Sequence, residues 1–475
     1  MEFVSMGQPE QQHRLIILTD MENEPDDCQT MVKLLLYSNE IDIEALIAVT
    51  SRWLPNDHYP ESIIDRIHAF GLVRSSLMRH AGGWPTVEYL LDRTAGGQKG
   101  YGMKVVGDHK NTLGSELIIN ALKRDDPRPL HVAINAGANT LAQALWDLRR
   151  DSDSQEISRL LKKLRVYDDA GQDDAGAWIC HTFPDIFYVR SRSQIFGLYG
   201  PNLGLGPQPW EPLDQWDWAE HNIRRRHGQL GALYPQRILK DGRLFSMEGG
   251  GTTTWIGLAN KGLYDPAEIS WGGWGGRFSW TKEQVRAGQD SVIPLEEPYL
   301  PFKMYPQARD ISYKFGDPDE KVFEIFGVDE TVPCFAKDFA PLWRWREAYT
   351  RDSQARMDWC VCDYSHANHN PVAVFMGDEN RTILRLRAKP GESIELDASG
   401  SYDPDGDQLS FKWTMYPEAG TYEGEVIIEK ATEKIANLIV PREAHGKQIH
   451  VILEVTDTNA NIPLTAYRRV VIDID

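Results

Sequence analysis

Five carboxylates fall within eight residues in the stretch Asp20-Met21-Glu22-Asn23-Glu24-Pro25-Asp26-Asp27. Acids crowded on one turn repel, and each raises the pKa of its neighbours unless a cation neutralises them. A donor set made only of oxygens suits a hard divalent ion, and calcium fits it best. A plain solvated acidic loop is the other reading. Asp26 or Asp27 also has an ordinary use, because either can cap free N–H groups and complement the dipole where a helix begins.

The elements around the stretch decide where its side chains go. It lies between the apolar run Leu15-Ile16-Ile17-Leu18 and the helical pattern Met31, Leu34, Leu35. A strand opening directly into a helix places the loop at the carboxyl end of a parallel sheet, where open α/β folds bind ligands. Ile43 to Val49 reads as the next strand, ending at Thr50-Ser51-Arg52-Trp53, and completes a βαβ unit; a helix is predicted over Glu61 to Val73. The pattern recurs twice. His131-Val132-Ala133-Ile134 runs into Asn135-Ala136-Gly137-Ala138-Asn139 and a helix from Thr140 to Leu148. Leu164-Arg165-Val166-Tyr167 is followed by Gly171-Gln172-Asp173-Asp174 and a short helix around Trp178. In a parallel sheet these turns share one edge. That edge would gather Asp20 to Asp27, Ser51, and the candidate substrate contacts Asn135, Asn139, Gln172, Asp173 and Asp174 into one pocket.

Two further stretches bear on ligands. Gly96-Gly97-Gln98-Lys99-Gly100-Tyr101-Gly102 lacks the spacing of a phosphate-binding loop and reads as a lid or a simple connection. Residues 200–276 are rich in Gly, Pro and Trp, including Trp210, Trp216, Trp218, Trp255, Trp271 and Trp274. Packing is the commoner role of a tryptophan. Trp274 is singled out as a ring platform because the glycines of Trp271-Gly272-Gly273-Trp274-Gly275-Gly276 would let a ligand approach closely.

A helix over residues 344–358 and a polar linker from His366 to Pro371 close the first part of the chain. Beyond it the apolar residues alternate with a period of two: Ile394 and Leu396, Phe411 and Trp413, Leu438 and Val440, Val451 to Val455, then Tyr467 to Ile474. Short alternating strands between turns imply a β-sandwich. Two domains are expected, 1–366 and 367–475.

Composition narrows the partners. The 475 residues carry a formal net charge of -19, and the one basic run is Arg224-Arg225-Arg226, so nucleic acid is not an expected partner. Five dispersed cysteines give no disulfide framework. Met1 to Arg14 is polar and no stretch reaches transmembrane length, so no membrane partner is expected and the chain as written reads as cytoplasmic. A trimmed start would make it a secreted protein instead. A homo-oligomer is left open.

The order Asp20, Glu22, Asp26, Asp27 after an apolar strand resembles the Asp-x-Asp-x-x-x-Asp-Asp signature of calcium-dependent inosine-uridine nucleoside hydrolases, with Glu22 in place of the second Asp. Leu18-Thr19-Asp20, Asn23-Glu24-Pro25-Asp26-Asp27 and Leu34-Leu35-Leu36-Tyr37-Ser38-Asn39-Glu40 look more closely like nucleoside hydrolase-like proteins with a C-terminal cellulose-binding-type domain, long a domain of unknown function. Leu396 to Asp407, with Asp403-Pro404-Asp405-Gly406-Asp407, resembles the signature of polycystic-kidney-disease-type Ig-like domains. Asp403, Asp405 and Asp407 read equally as a calcium loop or a structural turn. The resemblance implies an α/β domain with an open, mostly parallel sheet flanked by helices, then an all-β Ig-like sandwich.

It also implies a chemistry, in which a calcium-activated water attacks an anomeric carbon while a carboxylate takes the proton. Matched position by position, Asp20 and Asp27 are metal ligands with Glu248 as a third. Glu22 falls on the general-base position with Glu24 as its substitute, and Asp26 on the sugar-hydroxyl position. Met247 stands where the relatives offer a histidine to the leaving group. The expected ligand is a small sugar or glycoside and the expected activity is hydrolysis at an N- or O-glycosidic centre. A non-catalytic carbohydrate-binding protein using the same pocket and the sandwich, and an enzyme of specialised metabolism with non-glycosidic chemistry, are the alternatives.

Overall fold

The computed structural model describes residues 2–5, 11–198, 218–238, 242, 244–245, 249–259, 261–285, 297–313, 317–326 and 331–475. The expected Glu248, Ser246 and Met247, and also Trp210 and Trp216, lie outside the described residues.

The chain begins with β1 (Glu2–Ser5), β2 (His13–Thr19), α1 (Pro25–Leu36), β3 (Ile41–Ala48) and α2 (Pro60–His80). β4 (Thr94–Gly96), β5 (Leu130–Ile134), β6 (Leu164–Asp169) and β7 (Phe187–Ser191) follow, separated by helices that include Leu113–Lys123, Asn139–Asp151 and Ala175–Thr182. β2 to β7 join Lys303–Pro306 and the edge pair Glu283–Gln284 in an eight-stranded sheet. Its order is Glu283–Gln284, Lys303–Pro306, β7, β6, β5, β2, β3, β4. All neighbours are parallel except the Glu283–Gln284 edge. The core strands carry unbroken apolar runs because helices cover both faces: Leu15 and Ile17 pack into one apolar layer, Ile16 and Leu18 into the other.

α1 starts where the acidic stretch predicts. Pro25 takes the first helical turn, where its missing N–H costs nothing, with Asp26 and Asp27 beside it. α2 is longer than its expected span, because the helical pattern continues past Val73 through buried Leu77. The glycine-rich loop is a fixed connection. Gly100 carbonyl accepts from the Thr50 hydroxyl (2.7 Å) and the Asn139 amide (2.9 Å).

The last part of the chain forms two facing sheets. One has five strands, β1, Leu384–Ala388, Thr465–Ile474, Gln448–Asp457 and Leu409–Met415, and the other has Ser393–Asp397, Ile435–Ile439 and Ile428–Glu429. β1 supplies an edge strand, running antiparallel to Leu384–Ala388 with Phe3 opposite Leu386 in the register. The sandwich therefore draws on the extreme N-terminal segment as well as on residues after 367.

The sandwich and the α/β layer share a core. The helix Ala336–Trp359 carries Trp345 and Tyr349 into the apolar cluster that also holds Tyr416, Ile452, Tyr467 and Val471. Backbone bonds cross the junction, Tyr467 N–H to Lys261 carbonyl (3.0 Å) and Arg469 N–H to Gly262 carbonyl (2.9 Å). Gly262 sits at φ 81°, and a Cβ there would lie 2.1 Å from the Tyr467 carbonyl oxygen. Gly262→Ala is expected to lower the urea midpoint of the whole chain, with the left-handed backbone alone costing about 1 to 3 kcal/mol. An unchanged midpoint would show that this crossing contributes nothing.

All five cysteines are free thiols and four are buried. Among the described residues no helix is long and apolar enough to cross a membrane.

Candidate functional site

At the carboxyl edge of the sheet, β2 ends in Thr19 and releases Asp20 into a turn closed by Asn23 N–H on the Asp20 carbonyl (3.1 Å). The Asp20 side chain is buried and accepts from the Ser51 hydroxyl (2.6 Å), presented from the end of β3. Ser51 Oγ is itself fixed by the N–H groups of Trp53 and Leu54, each 3.0 Å away. Asp27, one turn into α1, is buried beside Asp20 and accepts a short bond from the Thr19 hydroxyl. Asp26 is partly exposed next to them.

A fourth carboxylate belongs to this group. Asp169 ends β6, is 5% exposed, and its Oδ1 has no hydrogen-bond partner among the described residues. The preceding Asp168 points the other way, taking the Arg190 guanidinium (2.7 Å) and the Tyr188 hydroxyl (2.8 Å). Sequence reasoning missed Asp169. The signal was present in the Asp168-Asp169 pair at a strand's end, where alternation sends one residue to each face.

Electrostatics bind the four acids into one unit. Burial pushes the Asp20 carboxyl up to about 7, with Asp26 adding to the rise and bonds from Ser51 and Asp27 opposing it. Burial also holds Asp27 well above the usual carboxylate range, reinforced by Asp20, Asp26 and Asp169. Asp169 is raised first by burial and then by Asp26, Asp168 and Asp20. Such a cluster carries either shared protons or a cation.

Asn135, at the end of β5, lines the same edge. Its side-chain oxygen accepts from the Thr254 hydroxyl (2.7 Å), its carbonyl from the Gln172 amide (2.7 Å), and its Nδ2 has no partner among the described residues. The Gly249–Thr254 turn closes against it: a Cβ on Gly251 would lie 2.5 Å from Asn135 Nδ2. Thr30 and Thr252 hydroxyls meet at 3.1 Å across the same seam.

Other candidates are spent on structure. Asp173 accepts from the N–H groups of Asn139 (3.1 Å) and Ala175 (3.0 Å), Asp174 from Met103 N–H (2.8 Å), and Asn139 donates to Thr50 and Gly100. They fix the turns around the pocket. Trp274 is a correction: it is 2% exposed and packs edge-on against Tyr349 and Tyr467 at the junction of the two layers, so its ring offers no platform.

The two expected bases sit at the rim. Glu22 adopts a left-handed backbone (φ 70°), and its carboxylate takes the Ser62 hydroxyl, the Cys28 thiol (3.4 Å) and Arg66 (3.5 Å). Burial alone would raise its pKa, but the Ser62 bond and the Arg66 charge outweigh it and hold it below the usual range. Glu24 pairs with Arg237 at 2.7 Å.

Carboxylate oxygens, including the Asp169 Oδ1 that has no partner among the described residues, are the donor type that calcium takes, but the third expected ligand, Glu248, lies outside the described residues. Two of the three expected ligands, Asp20 and Asp27, are adjacent. Among the described residues no group of three or more His, Cys, Asp or Glu side chains is disposed to hold a metal.

Comparison with known proteins places the chain. The family model described as "Cellulose-binding Sde182, nucleoside hydrolase-like domain" matches residues 14–278, and "Cellulose-binding protein Sde0182, C-terminal domain" matches residues 393–474. A solved structure of a nucleoside hydrolase-related hypothetical protein from Saccharophagus degradans, described as associated with carbohydrate metabolism, is 35% identical. It aligns with 98% of this chain and 100% of that one at a TM-score of 0.82. The effector protein XOO4466 aligns with 75% of this chain and 95% of that one at 9% identity, and its TM-score of 0.37 carries no inference. No curated protein matches.

Proposed function

Since the chain belongs to the cellulose-binding Sde182 family with its nucleoside hydrolase-like domain, we propose that it is a carbohydrate-directed hydrolase working at the carboxyl edge of its parallel sheet. One observation supports this reading: Asp20, Asp27 and Asp169 are buried together with Asp26 beside them, an arrangement whose mutual repulsion costs stability unless protons or a cation offset it. The bond cleaved is a glycosidic C–N or C–O bond, with water adding to the anomeric carbon and its proton passing to a carboxylate.

In this proposal Asp20 and Asp27 hold calcium, with Glu248 as the third ligand. Calcium, when bound, supplies Lewis acidity toward a water and toward sugar hydroxyls. Ser51 and Thr19 keep the two ligands pointed inward through their hydroxyl bonds. Asp26, the acid of the cluster with solvent access, takes sugar hydroxyls, and Asn135 offers its unpartnered amide from the opposite wall. Glu22 at the rim receives the proton, and Ser62 and Arg66 position it there.

Nitrophenyl ribosides and glucosides, inosine and uridine are the substrates to screen, with calcium present. On an accepted substrate Glu22→Gln is expected to retain calcium and to lose about 10² to 10⁴ in rate, since its amide keeps size and loses basicity. Wild-type rates in that variant would remove Glu22 from the reaction.

A second reading has its own support. The Ser62 hydrogen bond and the Arg66 charge together hold Glu22 below the usual carboxylate range and make it a weak base, which suits a pocket that binds a glycan without turning it over. Absence of turnover, together with calcium-dependent protection by sugars against heating, would favour it.

A further inference from the structure

The carboxylate pocket occupies one edge of the sheet, and a second recess lies at the other. It is a cleft of about 660 Å³ between the α/β layer and the sandwich, bordered by His13 at the start of β2 and Glu40 just before β3. That volume is within the roughly 300 to 1,000 Å³ of small-molecule sites, which favour domain junctions.

Its floor is a closed ionic network. Lys261 meets Glu40 (3.2 Å) and Asp352 (3.3 Å), and Arg356 meets Asp352 (3.1 Å) and, more tightly, Glu40. The cleft is lined by Lys261, Arg356 and Arg381 against Glu40 and Glu379, and the buried Asp352 behind the floor balances the third cation, so the region is formally neutral. An anionic ligand would be set against Glu40 and Glu379, and a cationic one against Lys261, Arg356 and Arg381. A neutral polar ligand meets no such opposition.

The rim supplies a ring. Tyr402, in the sandwich, is 50% exposed, while its backbone is pinned by paired bonds with Val372, just after the linker (2.8 and 3.2 Å). A half-exposed aromatic held rigidly over a polar recess suits the apolar face of a sugar, and the planar groups of Asn380 and Arg381 flank it. We infer that this inter-layer cleft binds a neutral hydroxyl-rich glycan chain, with Tyr402 as stacking platform and Arg381 as a donor to its hydroxyls. The cleft goes beyond the hydrolase reading, which concerns the opposite edge and stands or falls on calcium and turnover.

The test is calorimetric titration of the full chain with cellohexaose, with inositol hexaphosphate as an anionic comparison. Wild type is expected to bind cellohexaose equally well in calcium and in EDTA, and not to bind the phosphate at this cleft. Tyr402→Ala is expected to weaken cellohexaose at least ten-fold with circular dichroism unchanged, and Tyr402→Phe to restore wild-type affinity. Arg381→Ala, a second exposed change, should weaken it as well. Equal affinity for wild type, Tyr402→Ala and Arg381→Ala would overturn the assignment. So would loss of cellohexaose binding in EDTA, which would move the glycan to the carboxylate edge, or failure of wild type to bind it at all.

Discussion

Replacing Asp27 by asparagine is expected to stabilise the calcium-free protein at pH 8 and to erase its response to calcium. The sign follows from the raised carboxyls. Asp20 is held at about 7, and Asp27 and Asp169 also lie above the value of an unfolded aspartate. Between about pH 4 and pH 7 the unfolded chain has released protons that the folded chain still keeps, so stability falls as pH rises through this window. For Asp20 alone the loss is on the order of 4 kcal/mol. If the cluster holds calcium as proposed, the ion would replace those protons at pH 8, and at a hundred-fold excess over its dissociation constant it would contribute about 2.7 kcal/mol. The introduced amide would still accept from Thr19 through its oxygen, removes one of the repelling charges and deletes a ligand. Scanning calorimetry of both proteins at pH 5 and pH 8, in EDTA and in calcium, separates the proton effect from the metal effect. A wild-type melting temperature that does not fall between these pH values in EDTA, or an Asp27→Asn variant that responds to calcium as wild type does, would contradict the account.

Arg469→Met is expected to be the most damaging single change at the junction of the two layers. The guanidinium is fully buried, and its hydrogen bonds run to backbone carbonyls and one imidazole. Its Nε donates to Leu263 carbonyl (2.6 Å), its Nη2 to the carbonyls of Trp271 and Gly272 (2.9 Å each), and its Nη1 to His450 Nδ1 (3.0 Å). His450 can accept because its other nitrogen faces Gln448 Oε1 (2.8 Å), and burial with the Arg469 charge holds the ring well below its ordinary pKa. Methionine fills the stem and leaves three carbonyls buried without this donor. The expected cost is on the order of 3 to 5 kcal/mol. Urea unfolding followed by tryptophan fluorescence and by circular dichroism should show one transition in wild type and two in the variant. Coincident transitions at the wild-type midpoint would show that the carbonyls find other donors.

The acidic turn was legible because five acids in eight residues have few structural uses, and because an apolar strand and an amphipathic helix flank it without interruption. The α/β order and the alternating strands from Ile394 onward were legible for the same local reason, whereas the strand Leu384–Ala388 was not read. Where partners came from afar, the reading failed. The glycines around Trp274 suggested an open approach, but Tyr349 and Tyr467 fill it from a helix and a strand far along the chain. β7 was missed because Arg190 breaks its apolar run, and its pairing with Asp168 on the neighbouring strand helps make that charge tolerable in the sheet. β4 has three residues, too few for a period to show. Asp169 was hidden by being the last residue of a strand and not the first of a turn.

The edge position of β1 has a consequence for how the protein is made. Phe3 pairs with Leu386 in the ladder, so this strand leaves the ribosome more than three hundred residues ahead of its partner. At roughly 5 to 20 residues per second that interval is on the order of twenty seconds to over a minute. During it the α/β layer can close and bury its own strands, while the nascent sandwich sheet emerges with the Leu384–Ala388 edge uncovered, the kind of edge that pairs with other chains. The sandwich therefore closes by retrieving a strand made long before its partner, and the yield of folded protein should depend on how well that strand is kept from other partners until then.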